Sequence, residues 1–322
     1  MVALSDDGPD YVVYGDNIEI LPELPDSFFQ LIYIDPPFNT KKARHHQSVK
    51  TTQAADGDRV GFGGRRYRTV WSKSNGYMDR FDDYLSFLAP RLEQARRLLR
   101  EDGSLYLHVD YRESHYCKLL LDEIFGRKCF INEIIWAYDY GGRSRRRWPA
   151  KHDTILFYAR EPKSYFFDQD AVDRIPYMAP SLVTPQKAAR GKTPTDVWWH
   201  TIVPTSGREK TGYCTQKPEG VVRRILLASS QPGCWVLDFF AGSGTAGAVA
   251  RQLGRRFLLV DNNPDAIAVI KRRLGTDRTS YVDVKDRPFA WTLFEEAPPR
   301  RPAVGRDASE LAEDDPQAGE LS

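Results

Sequence analysis

Apolar residues along the chain alternate between two rhythms. Short runs of strand length, at 11–14, 31–34, 104–109, 131–136, 154–158, 235–237 and 257–260, are separated by stretches of helical period. This alternation predicts an α/β protein built on a mostly parallel sheet. Helices are predicted over 82–100, where Leu85, Leu88, Leu92, Ala95 and Leu99 make a stripe, and over 218–230, with Pro218 in the favoured first helical position. A third follows Asn263, whose side chain suits a cap ahead of Pro264 and whose Ile267, Ile270 and Leu274 fall on one side. The stripes predict core positions. There is no internal repeat.

Three stretches interrupt the rhythm. Residues 39–80 are polar and rich in Gly, Arg and Lys, too long for an ordinary connection, and read as a functional loop or a mobile one. Residues 138–151 (YDYGGRSRRRWPAK) gather Arg143, Arg145, Arg146, Arg147 and Lys151 beside Tyr138, Tyr140 and Trp148. Residues 161–212 are interrupted by prolines and carry Trp198, Trp199 and His200; the two tryptophans read as core or as a wedge, with core preferred. From Ala297 the chain is Pro-, Ala- and acid-rich with few large apolar residues, which predicts a disordered tail over 297–322.

Composition narrows the picture. With 322 residues, 41% hydrophobic and 12% aromatic, the chain has the material for a substantial core. Lys plus Arg number 46 against 44 Asp plus Glu, a formal charge of +2. That balance excludes a uniformly basic binder and an acidic solvating chain but allows one local basic face. Cys117, Cys129, Cys214 and Cys234 lack CxxC spacing, which argues against zinc and redox motifs and for a reducing compartment. The histidines show no ligand spacing beyond the adjacent His45 and His46, so no metal site is predicted. The acidic N-terminus is unlike a secretory signal, and no apolar run approaches the ~18 residues of a membrane span. A soluble, cytoplasmic protein without membrane contact is expected.

Asp35, Asp110, Asp238 and Asp261 each sit just past an apolar run, and ligands of open α/β sheets bind at the carboxyl ends of strands. Four acids on one rim are therefore expected, although Asp is also a common strand terminator, the reading kept for Asp110. Asp35-Pro36-Pro37-Phe38 follows the strand at 31–34 directly. Two prolines remove two amide donors and stiffen the chain, so an acid, a free carbonyl and an aromatic ring stand in fixed relation. The Asp35 carboxylate and the Pro36 carbonyl can each accept one N–H of an exocyclic amine while Phe38 stacks on its ring. Further on, Asp238-Phe-Phe-Ala-Gly242-Ser-Gly244-Thr245-Ala-Gly247 reads as strand, glycine turn and helix start. Its glycines formally match G-x-G-x-x-G, with Asp261 placed for ribose hydroxyls. On this segment alone an NAD-linked dehydrogenase competes. A P-loop does not, because its lysine is missing. Asp238 at the mouth of the loop would repel a pyrophosphate and attract an α-amino group, which favours S-adenosylmethionine.

DPPF at 35–38, TQKPE at 215–219 and DFFAGSGT at 238–245, in that order, resemble the β class of DNA amino-methyltransferases, which methylate adenine N6 or cytosine N4. The likeness covers roughly residues 11–275. It extends through YGDNIEILPELPD, GSLYLHVDYRESHYCKLLLDEIFG, INEIIWAYDYGGRSRRRWPAKHDTILFYAR and DVWWH. The loop reads AGSGT where many relatives carry a cysteine. The resemblance implies an α/β fold, a circularly permuted Rossmann-like methyltransferase sheet with helices on both faces and a small target-recognition insertion. It divides the chain into a catalytic half (1–160), a target-recognition region (161–212) and a cofactor-binding half (213–296). It implies S-adenosyl-L-methionine as cofactor and a target-base pocket formed by Asp35, Pro36, Pro37 and Phe38. Asp238, Phe240, Gly242, Ser243, Gly244 and Thr245 would cradle the methionine part, with Asp261 at the ribose and Asn262 near the adenine. Asp16 resembles the acid of the adenine pocket and reads equally well as a helix cap. Thr215, Gln216, Lys217 and Pro218 resemble the segment closing the cofactor's carboxylate end, and Lys217 also reads as a solvated first-turn residue.

An amine in a duplex is hidden, so base flipping is expected, with phosphates gripped by Arg65, Arg66, Arg68 and Lys73 and by Arg143, Arg145, Arg146, Arg147 and Lys151. Direct in-line methyl transfer needs neither a nucleophilic cysteine nor a metal. Adenine N6 in a specific double-stranded sequence is the preferred target because DPPF goes mainly with adenine. Cytosine N4 is the alternative, and a dehydrogenase or an inactive DNA-binding module are remote ones. A homodimer and a cognate restriction endonuclease enter by analogy with the family.

Overall fold

The structure, a computed structural model, describes residues 2–4, 8–39, 42–44, 47–53, 56, 59–60, 66–73, 77–79, 81, 83–141, 143–204, 206–285 and 291–293. The expected tail at 297–322, Arg65, and the side chain of Lys73 lie outside what is described. Nine strands form the central sheet: β1 (Asp10–Tyr14), β2 (Phe29–Ile34), β3 (Leu99–Asp110), β4 (Phe130–Ala137), β5 (His152–Ala159), β6 (Val197–Trp199), β7 (Trp235–Asp238), β8 (Arg256–Asp261) and β9 (Thr279–Asp283). Their spatial order is β6-β4-β5-β3-β2-β7-β8-β1-β9. β5 pairs antiparallel with both neighbours, and every other pairing in the sheet is parallel. The strand leading into the glycine turn, β7, therefore lies beside β2, which leads into DPPF, although some two hundred residues of chain separate the motifs.

Alternation along the strands sends successive side chains to opposite faces. Ile32, Ile34, Leu105, Leu107, Leu237 and Leu258 face one core, together with Leu88, Leu92 and Ala95 of α2 (Tyr84–Leu98) and Cys117 and Leu121 of α3 (Ser114–Phe125). Leu31, Tyr33, Tyr106, Val236, Phe257 and Leu259 face the other. There they meet α5 (Glu219–Ser229), α6 (Thr245–Gln252) and α7 (Pro264–Leu274), after the short helices α1 (Asn17–Ile20) and α4 (Pro185–Arg190) in chain order. Helices on both sides of a mostly parallel sheet are the architecture that the hydrophobic rhythm predicts.

Two local expectations change. Pro218 stands one place before the helix, as its N-cap, with extended backbone; the first helical amide, that of Glu219, donates instead to the Glu209 carboxylate at 2.8 Å. The 39–80 stretch, expected as a loop, contains strands in its described parts. Gln47–Gln53 pairs antiparallel with Arg66–Lys73, and Lys42–Arg44 with Tyr77–Asp79. Its β-branched and aromatic residues, Val49, Thr51, Thr52, Val70 and Trp71, favour such pairing. Asn39 closes the base of this insertion, accepting from the Phe81 amide at 3.1 Å and donating to Glu113 at 3.0 Å.

Candidate active site

Parallel strands place their carboxyl ends at one edge, so the residues at or just past the ends of β1, β2, β7 and β8 converge. Asp16, Asp35, Asp238 and Asp261 line one cavity of about 280 Å³, near the lower end of small-molecule sites at roughly 300 Å³. Thr215, Lys217, Phe240, Gly242, Ser243, Thr245, Asn262 and Pro37 line it too. Of the other sequence-predicted residues, Pro36, Gln216, Pro218 and Gly244 do not line this cavity. Phe38 belongs to an adjoining cavity of about 590 Å³, whose walls include Asp110, Trp136, Tyr138 and Asp153. Thr215 and Lys217 border both.

The glycine turn is held from several sides. The Gly242 amide donates to Asp261 Oδ2 at 2.7 Å, and the Asn263 amide donates to Asp261 Oδ1 at 2.9 Å. Gly242 (φ +50°) leaves its backbone open to the cavity, whereas Gly244 (φ +72°) has a packing reason, since a Cβ there would lie 2.9 Å from Ile270. Thr245 Oγ1 donates to the Lys217 carbonyl at 3.2 Å, docking the 215–218 segment on the turn. Gln216 secures the approach to that segment, accepting from the Thr211 amide at 2.8 Å and donating to the Glu209 carbonyl at 2.6 Å.

Charge is the main feature of this cavity. Asp238 is buried, and its carboxyl is pushed well above the ordinary range by loss of solvent, a rise to which Asp35 and Asp261 add, against the lowering effect of the Phe240 amide. Burial pushes Asp261 up to about 6. Asp16 accepts from the Ile18 amide as the cap of α1 and pairs with Arg91 at 3.2 Å, so cap and cavity wall are combined in one residue.

At the DPPF corner, Lys217 Nζ donates to Asp35 Oδ2 at 2.5 Å and stands 4.6 Å from the centroid of the Phe38 ring. Asp35 Oδ1 is buried, with no hydrogen-bond partner among the described residues. Beneath Phe38 a buried chain runs from the Tyr33 hydroxyl to His108 Nδ1 at 2.9 Å and from His108 Nε2 to Asp153 at 3.2 Å, where the Tyr138 hydroxyl donates at 3.1 Å. Burial lifts the Tyr138 phenol above its ordinary range, with Asp153 adding to the rise.

Sequence reasoning missed the aromatic wall of Phe81 and Phe87, whose ring centroids lie 4.4 Å apart, with Phe240 6.0 Å from Phe87. It also missed Tyr213, and Asn17, which accepts from Arg91 at 2.6 Å and donates to the Phe239 carbonyl at 2.7 Å. Asp110, read as a terminator, accepts from the following Arg112 amide at 3.0 Å and also lines the second cavity.

Of the cationic candidates, Arg143 and Arg147 line the second cavity, and Arg145 and Arg146 are exposed beside it in sequence. Lys151 donates to the Gly141 carbonyl at 3.0 Å and so helps close its own loop. Arg66 and Arg68 are exposed on the insertion, Arg68 paired with Asp56. Trp198 is buried, as preferred, whereas Trp199 is 76% exposed and is not core. The edge strand β6 alternates, burying Trp198 and leaving its neighbours outside. Among the described residues no cluster of His, Cys, Asp and Glu is arranged to hold a metal, and no helix is long and apolar enough to cross a membrane.

Comparison with known proteins gives this geometry a family. The type II methyltransferase M.HpaI of Haemophilus parainfluenzae is 28% identical over 276 residues, covering 86% of this chain and 77% of its own. The DNA adenine methyltransferase YhdJ of Escherichia coli (strain K12) is 29% identical over 271 residues, 82% of each chain. In structure, the cytosine-N4-specific PvuII DNA methyltransferase superposes with a TM-score of 0.58 at 15% identity, over 85% of this chain and 91% of its own. M1.HpyAVI, solved as a complex with SAM, gives 0.54 at 19% identity, over 83% and 100%. Residues 29–272, from β2 into α7, match the N6/N4 DNA methylase family, and the chain belongs to it.

Proposed function

We propose that this DNA methylase uses S-adenosyl-L-methionine to methylate the exocyclic N6 of adenine, extruded from a specific double-stranded site. The observation that carries the reading is the convergence of DPPF and the glycine turn: Asp35, Pro37 and Gly242 line one cavity, and Phe38 lines its neighbour. The cavity fits the cofactor. Asp16, Asp35, Asp238 and Asp261 outnumber Arg91 and Lys217 on its walls, and an ammonium or sulfonium there favours the ionised form of buried Asp238, which a pyrophosphate would oppose. Gly242 admits close approach, and Phe81, Phe87 and Phe240 offer apolar faces to a purine.

Bound there, the cofactor supplies an electrophilic methyl group. The protein's part is to bring the amine to it. The Asp35 carboxylate and the Pro36 carbonyl accept the two amine protons, which directs the nitrogen lone pair toward the methyl carbon. Phe38 stacks on the base. These acceptors bind more strongly as the nitrogen becomes positive, which lowers the barrier selectively, and Asp35 is placed to take the proton released. Asp261 and Asp16 serve the ribose and adenine of the cofactor. The cations of 143–151 and of the insertion, including Arg65 and Lys73, serve the DNA phosphates, and 161–212 serves sequence reading. The order of motifs along the chain, with β7 late in sequence yet central in the sheet, supports the permuted arrangement.

Adenine is preferred over cytosine on the DPPF motif and on the likeness to an adenine methyltransferase. Asp35→Ala tests the assignment: methyl incorporation from radiolabelled cofactor falls to background while calorimetry still detects cofactor binding, since Asp238, Asp261 and the glycine turn remain on the cavity wall. Retained turnover would remove Asp35 from its role.

A further inference from the structure

The loop between β4 and β5 is tied at its base. The Tyr138 amide donates to the Lys151 carbonyl at 2.9 Å, and Lys151 Nζ reaches the carbonyls of Gly141 at 3.0 Å and Asp139 at 3.4 Å. Within it, Ser144 Oγ accepts from the amides of Arg146 and Arg147, both at 3.2 Å. The loop thus has internal order. It also holds the indole of Trp148 in solvent, 96% exposed.

An indole fully exposed on an anchored loop is out of place in a folded chain unless something covers it. Three observations say what. Arg147 and Pro149, its neighbours on either side, line the cavity shared with Phe38, so the exposed Trp148 is carried between two residues of the wall of the proposed base pocket. Arg143, Arg145, Arg146 and Arg147 directly precede it in sequence, and none pairs with a carboxylate among the described residues. A flat aromatic ring among unpaired cations matches a stacked polyanion.

We propose that Trp148 is the wedge that enters the duplex and fills the gap left when the target base swings into the cavity beside Phe38. The inference rests on the proposed base-flipping function and adds to it. Extruding a base leaves a space one base thick, bounded by two aromatic faces. A planar side chain fills that space and keeps the base from returning. Trp148 is therefore a positioning residue for base extrusion and takes no part in methyl transfer itself.

The test compares Trp148→Ala and Trp148→Phe with wild type on two oligonucleotide duplexes carrying a site mapped from methylated DNA of expressing cells. One is fully paired and the other has an abasic position opposite the target. Stacking of one base on an aromatic is worth a factor of roughly 10–100. The alanine variant should lose about that much kcat/KM on the paired duplex, and phenylalanine should restore most of it. On the abasic duplex, where the target is already unpaired, the loss should shrink to less than about threefold. An equal loss on both duplexes, or none on the paired one, overturns the wedge. Failure of wild type on both would instead overturn the proposed function.

Discussion

Replacing Lys217 with Met removes the ammonium that stands 2.5 Å from Asp35 Oδ2 and leaves a carboxylate without its partner. The two side chains are only 10% and 17% exposed, so solvent replaces little of what is lost. Breaking such a pair from one side costs about 3–5 kcal/mol when fully buried, and the residual exposure here puts the expected loss near the lower end, about 3 kcal/mol. For a chain of this size that is a fall in Tm of about 4–5 °C. Asp35→Asn in the same background removes the stranded charge, and the Met side chain is left against Phe38. The double variant should therefore recover most of the loss, a coupling of at least about 2 kcal/mol between the sites. Denaturant unfolding of the four proteins of the cycle, without ligand, measures it. A single variant within about 0.5 kcal/mol of wild type, or a strictly additive double, would show that the contact does not hold the two motifs together.

Three further outcomes follow from particular contacts. Neutralising Arg145, Arg146 and Arg147 together should reduce the slope of log affinity against log salt for duplex DNA by about 2–3, and an unchanged slope would return these residues to an ordinary solvated surface. Asp261 has a folded pKa of about 6, raised by burial above its unfolded value, so its charge costs stability fully above that pH and not at all below about 4. The ligand-free protein should therefore gain stability from this group as pH falls from about 6 toward 4, while on the proposed ribose role of the carboxylate cofactor affinity weakens over the same window. Calorimetric affinities flat across that range would contradict the ribose assignment. Gly244→Ala should destabilise by about 2–3 kcal/mol, since a Cβ at φ +72° is strained and would lie 2.9 Å from Ile270, and a neutral result in thermal unfolding would mean that the turn relaxes.

The parts of the molecule legible in the sequence were those with strong local patterns. All seven predicted strands are present, because buried runs such as Leu31–Ile34 and Phe257–Val260 are apolar on both faces of a covered sheet. The edge strands Val197–Trp199 and Thr279–Asp283 escaped notice: one has three residues and the other is half exposed, so neither has a sustained period. The helix Ser114–Phe125 was legible in principle, with Cys117, Leu121 and Phe125 buried at a spacing of four.

The site shows the same division. The acids at strand ends and the two turns could be picked out one by one, since each is a local signal. What joins them depends on residues far apart in the chain: Arg91 reaching Asn17 and Asp16, Thr245 reaching the Lys217 carbonyl, and Lys217 reaching Asp35 across 182 positions. The sequence reading put Lys217 with the cofactor segment or in solvent. In the fold it lines the first cavity with that segment, held there by Thr245 on its carbonyl, and its ammonium also reaches the DPPF corner.

The most direct measurement is nucleoside mass spectrometry of duplex DNA incubated with the purified protein and isotopically labelled S-adenosylmethionine. Labelled N6-methyladenine is the expected product, absent with Asp35→Ala. Labelled N4-methylcytosine would overturn the choice of base, and DNA without any labelled nucleoside would contradict the convergence of the two turns as a site of methyl transfer.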